Sequence, residues 1–169
     1  MLMQGWTMTN TTYANASANI QTTVRDILKA DTNTFYIKDR DLNTYTASVT
    51  LASMNIKIID GAPSYDTLDK SAFPLILVHS ALIEEKRLTN SKFKFESRCK
   101  IEIMTTEEGN CRRIYDAVRN ALKTANSTSL IVKLWWREIV NPNLDSFIGP
   151  NNKAIYTITT DVKYNSVVS

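Results

Sequence analysis

The residues with the best claim to chemistry are Asp60 and, on a later strand-like run, Glu84, Glu85 and Lys86. Two carboxylates and a lysine brought together could hold Mg²⁺ and orient an attacking water for phosphodiester hydrolysis. The residue types are common, and Glu84 to Lys86 falls near the expected tip of a hairpin, so chance explains the pattern better than a site. The other acidic pairs have local explanations. Asp39/Asp41 and Asp66/Asp69 lie in turn- or loop-like stretches, and Glu107/Glu108 open a helix. General acid–base catalysis needs groups that converge in one pocket with shifted pKa values, and these spacings do not supply them.

His79 is the single histidine, and Cys99 and Cys111 are the only cysteines. A structural zinc site needs about four closely placed nitrogen or sulfur ligands. A hydrolytic Ser-His-Asp or Cys-His arrangement has equally little to draw on. The thiols are expected to be buried and reduced. The glycines Gly5, Gly61, Gly109 and Gly149 spell neither GxGxxG nor a P-loop, the usual backbone cradles for phosphate. No catalytic residue, cofactor or metal is expected.

The chain has 169 residues, 43% of them hydrophobic and 22% charged. That is one domain by size, able to bury about 70% of its unfolded surface. The net charge of +3 is spread among residues of both signs, unlike the clustered basic face of a nucleic-acid binder. No apolar window reaches the ~18 residues of a membrane helix, and the N-terminus lacks the pattern of a signal peptide. A soluble cytoplasmic product is expected.

Residues 1–18 carry no charge and read as an arm; 19–169 read as a single α+β domain. Ile20, Val24, Ile27 and Leu28 form a helical stripe. Short strands are expected at 34–38, 45–51 and 55–60. Residues 74–80, PLILVHS, form an apolar run opened by proline and suit a strand buried on both faces. Residues 92–104 alternate without a break, placing Phe93, Phe95, Ser97, Cys99, Ile101 and Ile103 on one face. Lys92, Lys94, Glu96, Arg98, Lys100 and Glu102 take the other. The phenylalanines and the basic residues therefore cannot stack on and neutralise one nucleic acid together.

A strand of ~13 residues exceeds the common 5–6. It predicts an extended hairpin with 81–88 as the second arm and 89–91 as the turn. Such a two-stranded ribbon is marginal alone and needs a partner surface. Thr105 and Glu108 have the spacing of a capping box, followed by a helix that buries Cys111, Ile114, Tyr115, Val118 and Leu122. Two further strands, 129–140 and 153–165, are joined by a long loop, 141–152. Trp135 and Trp136 point to opposite faces, one into the core and one to a rim or interface. The fold class is α+β: a mixed, mainly antiparallel sheet packed by an N-terminal and a central amphipathic helix, with an extended β-hairpin.

This order of elements resembles the tail terminator, or tail-completion, proteins of long-tailed bacteriophages, which are close to other phage neck and head–tail joining proteins. The residues that carry the resemblance are Pro74 to Val78, the alternating Phe95 to Met104, and the helix with Cys111, Ile114, Val118 and Ala121. The resemblance implies a structural virion protein, made in the host cytoplasm, that assembles as a homo-oligomeric ring, usually a hexamer. The ring would cap the tail tube, meet a tail tube protein and a neck or connector protein, and pass DNA through its pore without reading it. Membrane partners are not expected. The interface would draw on Glu84, Lys86, Phe93, Phe95 and Arg98 of the hairpin, Phe147 of the 141–152 segment, and Trp135 or Trp136. Another head–tail connector or head-completion protein is the alternative. A metal-dependent nuclease, which the Asp60…Glu84–Lys86 pattern distantly resembles, is the remote one.

Overall fold

The computed structural model describes residues 16–38, 45–53, 56–61, 73–87, 93–124, 135–149 and 152–168. The N-terminal stripe forms helix α1, Ala16–Ala30. Ile20, Val24 and Leu28, four residues apart, are buried against the sheet, and Ile27 packs at their margin. Gln21 Nε2 donates to the Val78 carbonyl at 2.6 Å, which seats the helix over the sheet. Past the last turn, the Asn33 side chain donates to Asp31 Oδ1 at 2.7 Å, the local turn chemistry that ends helices.

The strands are β1 Phe35–Lys38, β2 Tyr45–Val49, β3 Lys57–Asp60, β4 Leu75–Val78, β5 Leu82–Arg87, β6 Phe93–Thr105, β7 Trp135–Gly149 and β8 Lys153–Val168; helix α2, Glu108–Thr124, lies between β6 and β7. β1 and β2 make a small antiparallel sheet of their own. The main sheet runs β3-β4-β6-β8-β7, with β5 beside the N-terminal half of β6. β3 and β4 are parallel and every other pairing is antiparallel. The molecule is thus α+β, and among the described residues no helix is long and apolar enough to cross a membrane.

β4 is buried at all four positions because both of its faces are covered. Ile76 and Val78 join the large cluster under the helices, while Leu75 and Leu77 pack with Met104 and Ile155 on the reverse face. β6 behaves likewise in its C-terminal half. Cys99, Ile101 and Ile103 face the helices, but Glu102, expected on an exposed charged face, is only 8% accessible. The reverse-face cluster closes over that end of the sheet. Glu102 is held there by His79 Nε2 at 3.3 Å and Lys100 Nζ at 4.0 Å, the pairing a buried carboxylate requires.

Helix α2 buries Cys111, Ile114, Val118, Ala121 and Leu122 as the spacing predicts, with Tyr115 partly covered. Its cap differs from the expected Thr105–Glu108 box. The helix begins at Glu108, so Glu107 occupies the cap, and its carboxylate accepts from the Asn110 amide at 2.8 Å. Thr105 instead donates to the Glu107 carbonyl at 2.6 Å, and Glu108 pairs with Arg112 one turn on. The long side chain of Glu107 reaches the orphan amide that a residue two places earlier cannot. Asn110 also ties the small sheet to this helix. Its side chain accepts from the Lys38 amide at 2.7 Å and donates to the Lys38 carbonyl at 2.8 Å.

The largest departure lies at the C-terminus, where most of the expected 141–152 loop is strand. β7 continues to Gly149 and pairs with β8 down to Lys153. Asn141, Pro142 and Asn143 read as a break, yet they are absorbed by a register shift between Val140 and Asn143. Proline lacks an amide to donate, which an edge strand at a bulge tolerates. β7 is that edge. The Thr160 hydroxyl donates to the Val140 carbonyl at 3.0 Å and steadies the bulge.

Candidate assembly interface

The expected hairpin exists: Leu82 to Arg87 of β5 pair with Arg98 to Phe93 of β6. Its expected turn, 89–91, lies outside the described residues. It is not a two-stranded ribbon, because β8 pairs along the whole of β6, from Phe93↔Val168 to Thr105↔Tyr156. The fifteen residue steps from Lys153 to Val168 allow β8 to extend up to about 50 Å, against a diameter of about 40 Å for a globule of this chain length. The long strand β6 is thus embedded in a sheet of three strands or more and is not one arm of a thin ribbon.

The sequence-predicted interface residues divide by strand. Glu84 is exposed on β5 and sits opposite Glu96 of β6. Like charges directly opposite weaken a pair, and Arg98 answers Glu96 at 3.8 Å. Arg98 itself is exposed, opposite Leu82 on one side and Lys163 on the other. Lys86 pairs in register with Lys94, Phe93 with Arg87 and Phe95 with Glu85. Trp135 and Trp136 stand on β7 opposite Asn165 and Tyr164. The side chains of Lys86, Phe93, Phe95, Trp135 and Trp136 lie outside the described residues. Phe147 sits on the terminal stretch of β7, a full sheet length from the β5–β6 end.

The exposed apolar side chains complete the picture. Leu82 at the start of β5 is 75% accessible. Leu144, Phe147 and Ile148 on β7 are 38%, 36% and 66% accessible. Strand alternation gives Leu144 and Ile148 one face and Phe147 the other. Leu144 lies opposite Ile158 of the helix-side core, and Phe147 opposite Ile155 of the reverse-face cluster. Phe147 was named from the sequence as an interface candidate, whereas Leu144 and Ile148 were not, since residues assigned to a loop have no face to be assigned to.

Asp60 and Glu84, which carried the remote nuclease alternative, do not converge. Asp60 pairs with Val78, and Val78 with Ile101, whereas Glu84 pairs with Glu96. Five positions along β6 separate them, about 17 Å, and Asp60 forms an ion pair with Arg25 of α1. Among the described residues, no cluster of three or more His, Cys, Asp or Glu side chains is arranged to hold a metal ion. The thiols are held as neutral groups. Burial pushes Cys99 up to about 12 and Cys111 to about 11, and Cys99 donates to the His79 carbonyl at 3.2 Å. A protonated, enclosed sulfur is a poor nucleophile and a poor metal ligand.

No family model matches the chain, and no curated protein matches it in sequence. Its fold matches that of a chain in a solved structure described as "Virion of native gene transfer agent (GTA) particle". The TM-score is 0.50 at 10% identity, over 91% of this chain and 99% of that one. At this identity the likeness is one of fold, and it extends over nearly the full length of both chains.

Proposed function

We propose that this protein is a structural component of a phage-like virion and, within it, a tail terminator: a ring that caps the tail tube and joins it to the neck. The observation that carries this reading is the shared fold with a virion chain at near-complete coverage. Fold alone does not assign function, so two features of this chain's own surface are offered in support. β8 pairs with β6 along all thirteen residues of that strand, and among the described residues the main sheet exposes large apolar side chains at Leu82 on β5 and at Leu144, Phe147 and Ile148 on β7, with Tyr36 exposed on the small sheet. A sheet with apolar residues at its margins suits a protein that completes its contacts in an assembly.

A closed ring requires head-to-tail contacts between different patches of neighbouring copies. The β5–β6 end supplies one such patch, with Leu82, Glu84 and Arg98 exposed on it and Lys86, Phe93 and Phe95 in the adjoining register. The Trp135–Trp136 end of β7 lies beside it across β8. DNA would pass through the ring without base recognition, in keeping with interspersed charges rather than a basic stripe.

The test is assembly of the purified full chain, alone and with a tail tube protein, followed by native mass measurement and electron microscopy. A ring that binds tube ends and halts their growth is expected. A chain that neither forms a ring nor binds tubes would overturn the terminator reading; a ring bound to another neck component would move it elsewhere in the neck.

A further inference from the structure

Three strand edges of the main sheet are open among the described residues, and they differ in how they are protected. β3 is four residues long with charges at both ends, Lys57 and Asp60. β5 carries four consecutive charges, Glu84 to Arg87. Short length and charge are the usual defences against unwanted strand pairing. β7 lacks them below its bulge. Asn143 to Gly149 pair with β8 in unbroken register, contain a single charge, Asp145, and expose Leu144, Phe147 and Ile148.

We propose that this stretch of β7 pairs with the same stretch of a second copy, antiparallel, about a two-fold axis at Ser146. The sequence is complementary to itself in that register. Leu144 meets the second copy's Ile148 and Ile148 meets its Leu144, so four aliphatic side chains line the helix-side face. There they continue the core that already holds Ile158 and Tyr156. Asp145 falls opposite Phe147 on the reverse face. Centring on Asp145 instead would set two carboxylates directly opposite, which is destabilising. Centring on Phe147 would set Ser146 against Ile148 and leave Leu144 with no aliphatic partner. In the single copy the Ser146 amide donates to the Asp145 carboxylate at 2.7 Å, and a carbonyl of the second strand replaces that acceptor.

The charged edges of β3 and β5 are poor mates for an aliphatic row, which is why the second β7 is the occupant. A two-fold contact closes at two copies. It therefore adds to the ring contacts placed at the β5–β6 end and does not substitute for them.

Single-cysteine cross-linking of the full chain with a short bismaleimide tests the pairing. Native Cys99 and Cys111 are buried and protonated and stay silent. Ser146→Cys places the new thiols face to face and is expected to give a covalent dimer. Asn143→Cys places them six residue steps apart, about 20 Å, and is expected to give none. Adding Ile148→Lys to Ser146→Cys is expected to lower the dimer yield at least tenfold while ring formation and the thermal midpoint are kept. The proposal is overturned if Ser146→Cys yields no dimer, if Asn143→Cys cross-links equally well, or if Ile148→Lys abolishes the ring together with the dimer. The last result would make β7 a ring contact. Failure of the wild-type chain to form rings, with the Ser146→Cys dimer intact, would overturn the terminator reading alone.

Discussion

The two long hairpins of this protein meet on β6 and β8, yet they handle exposure in opposite ways. β5 and the distal half of β6 are charged: Glu84 faces Glu96, Lys86 pairs in register with Lys94, and Arg98 borders Lys163. The terminal half of β7 is mostly uncharged and shows Leu144, Phe147 and Ile148 to its surroundings. The first tolerates unfavourable like-charge neighbours and is protected from stray strand pairing. The second keeps an open edge with apolar side chains on both faces. A charged strand edge can therefore offer side chains for contact without inviting a further strand. Side-chain charge along the edge decides which end invites a strand.

The comparison can be broken most severely where both hairpins depend on one residue. Ile103 of β6 is fully buried under the helices and lies between Ile76 and Ile158. Ile103→Ala should cost about 2–5 kcal/mol, seen as a lower urea midpoint with both hairpins lost in one transition. A biphasic transition would show that the hairpins are independent. Near the tip of the second hairpin, a Cβ on Gly149 would overlap the side chain of Ile155. Ile155 is buried, so Gly149→Ala should cost about 1–3 kcal/mol through overpacking, with no matching loss for a surface change such as Leu82→Ala.

Alkali tests the seam where the two regions join, at Cys99. Its pKa rises from 9.0 in the reference state to about 12 in the fold because of burial. Between these values the unfolded chain releases a proton that the native chain retains, so stability falls as pH rises. It is fully present below pH ~9 and declines by about 1 kcal/mol per pH unit until the folded thiol itself ionises. Chemical denaturation at pH 8, 9 and 10 should show the decline; Cys111, raised to about 11, adds a like slope, so Cys99→Ala should roughly halve it and removal of both thiols should flatten it. The smallest effect is expected at the charged hairpin. Glu84→Lys replaces a like-charge pair with an attractive one opposite Glu96 and should stabilise by about 0.2–1 kcal/mol. An unchanged or lower thermal midpoint would mean that Arg98 already neutralises Glu96.

Several elements were legible in the residues themselves. The i, i+4, i+8 spacing of Ile20, Val24 and Leu28 marks α1, and the continuous apolar run Leu75 to Val78 marks a strand covered on both sides. The alternation of residues 93–103 marks β6 and its helix-facing side from Ser97 to Ile103. These are consequences of periodicity, which depends only on local backbone geometry. Glu102 illustrates where this kind of reading stops: alternation assigns it correctly to the reverse face, but whether that face is wet depends on Leu75, Met104 and Ile155, drawn from three strands. The exposed rim of the sheet was legible only in part. Its charged half follows from β6 alone, whereas Leu144 and Ile148 were hidden by the Asn141-Pro142-Asn143 break.

What the chain alone determined, then, is the two helices and the strands of unbroken periodicity, with the core faces of those elements. Tertiary structure decided which strands became edges and which were flanked on both sides. Pairing of β8 along all of β6 turned an expected thin arm into a broad sheet, and the edge position of β7 let a proline persist within a strand. Strand order is set by contacts among residues far apart in sequence, and local periodicity is the same whether a strand lies at the centre of a sheet or at its margin.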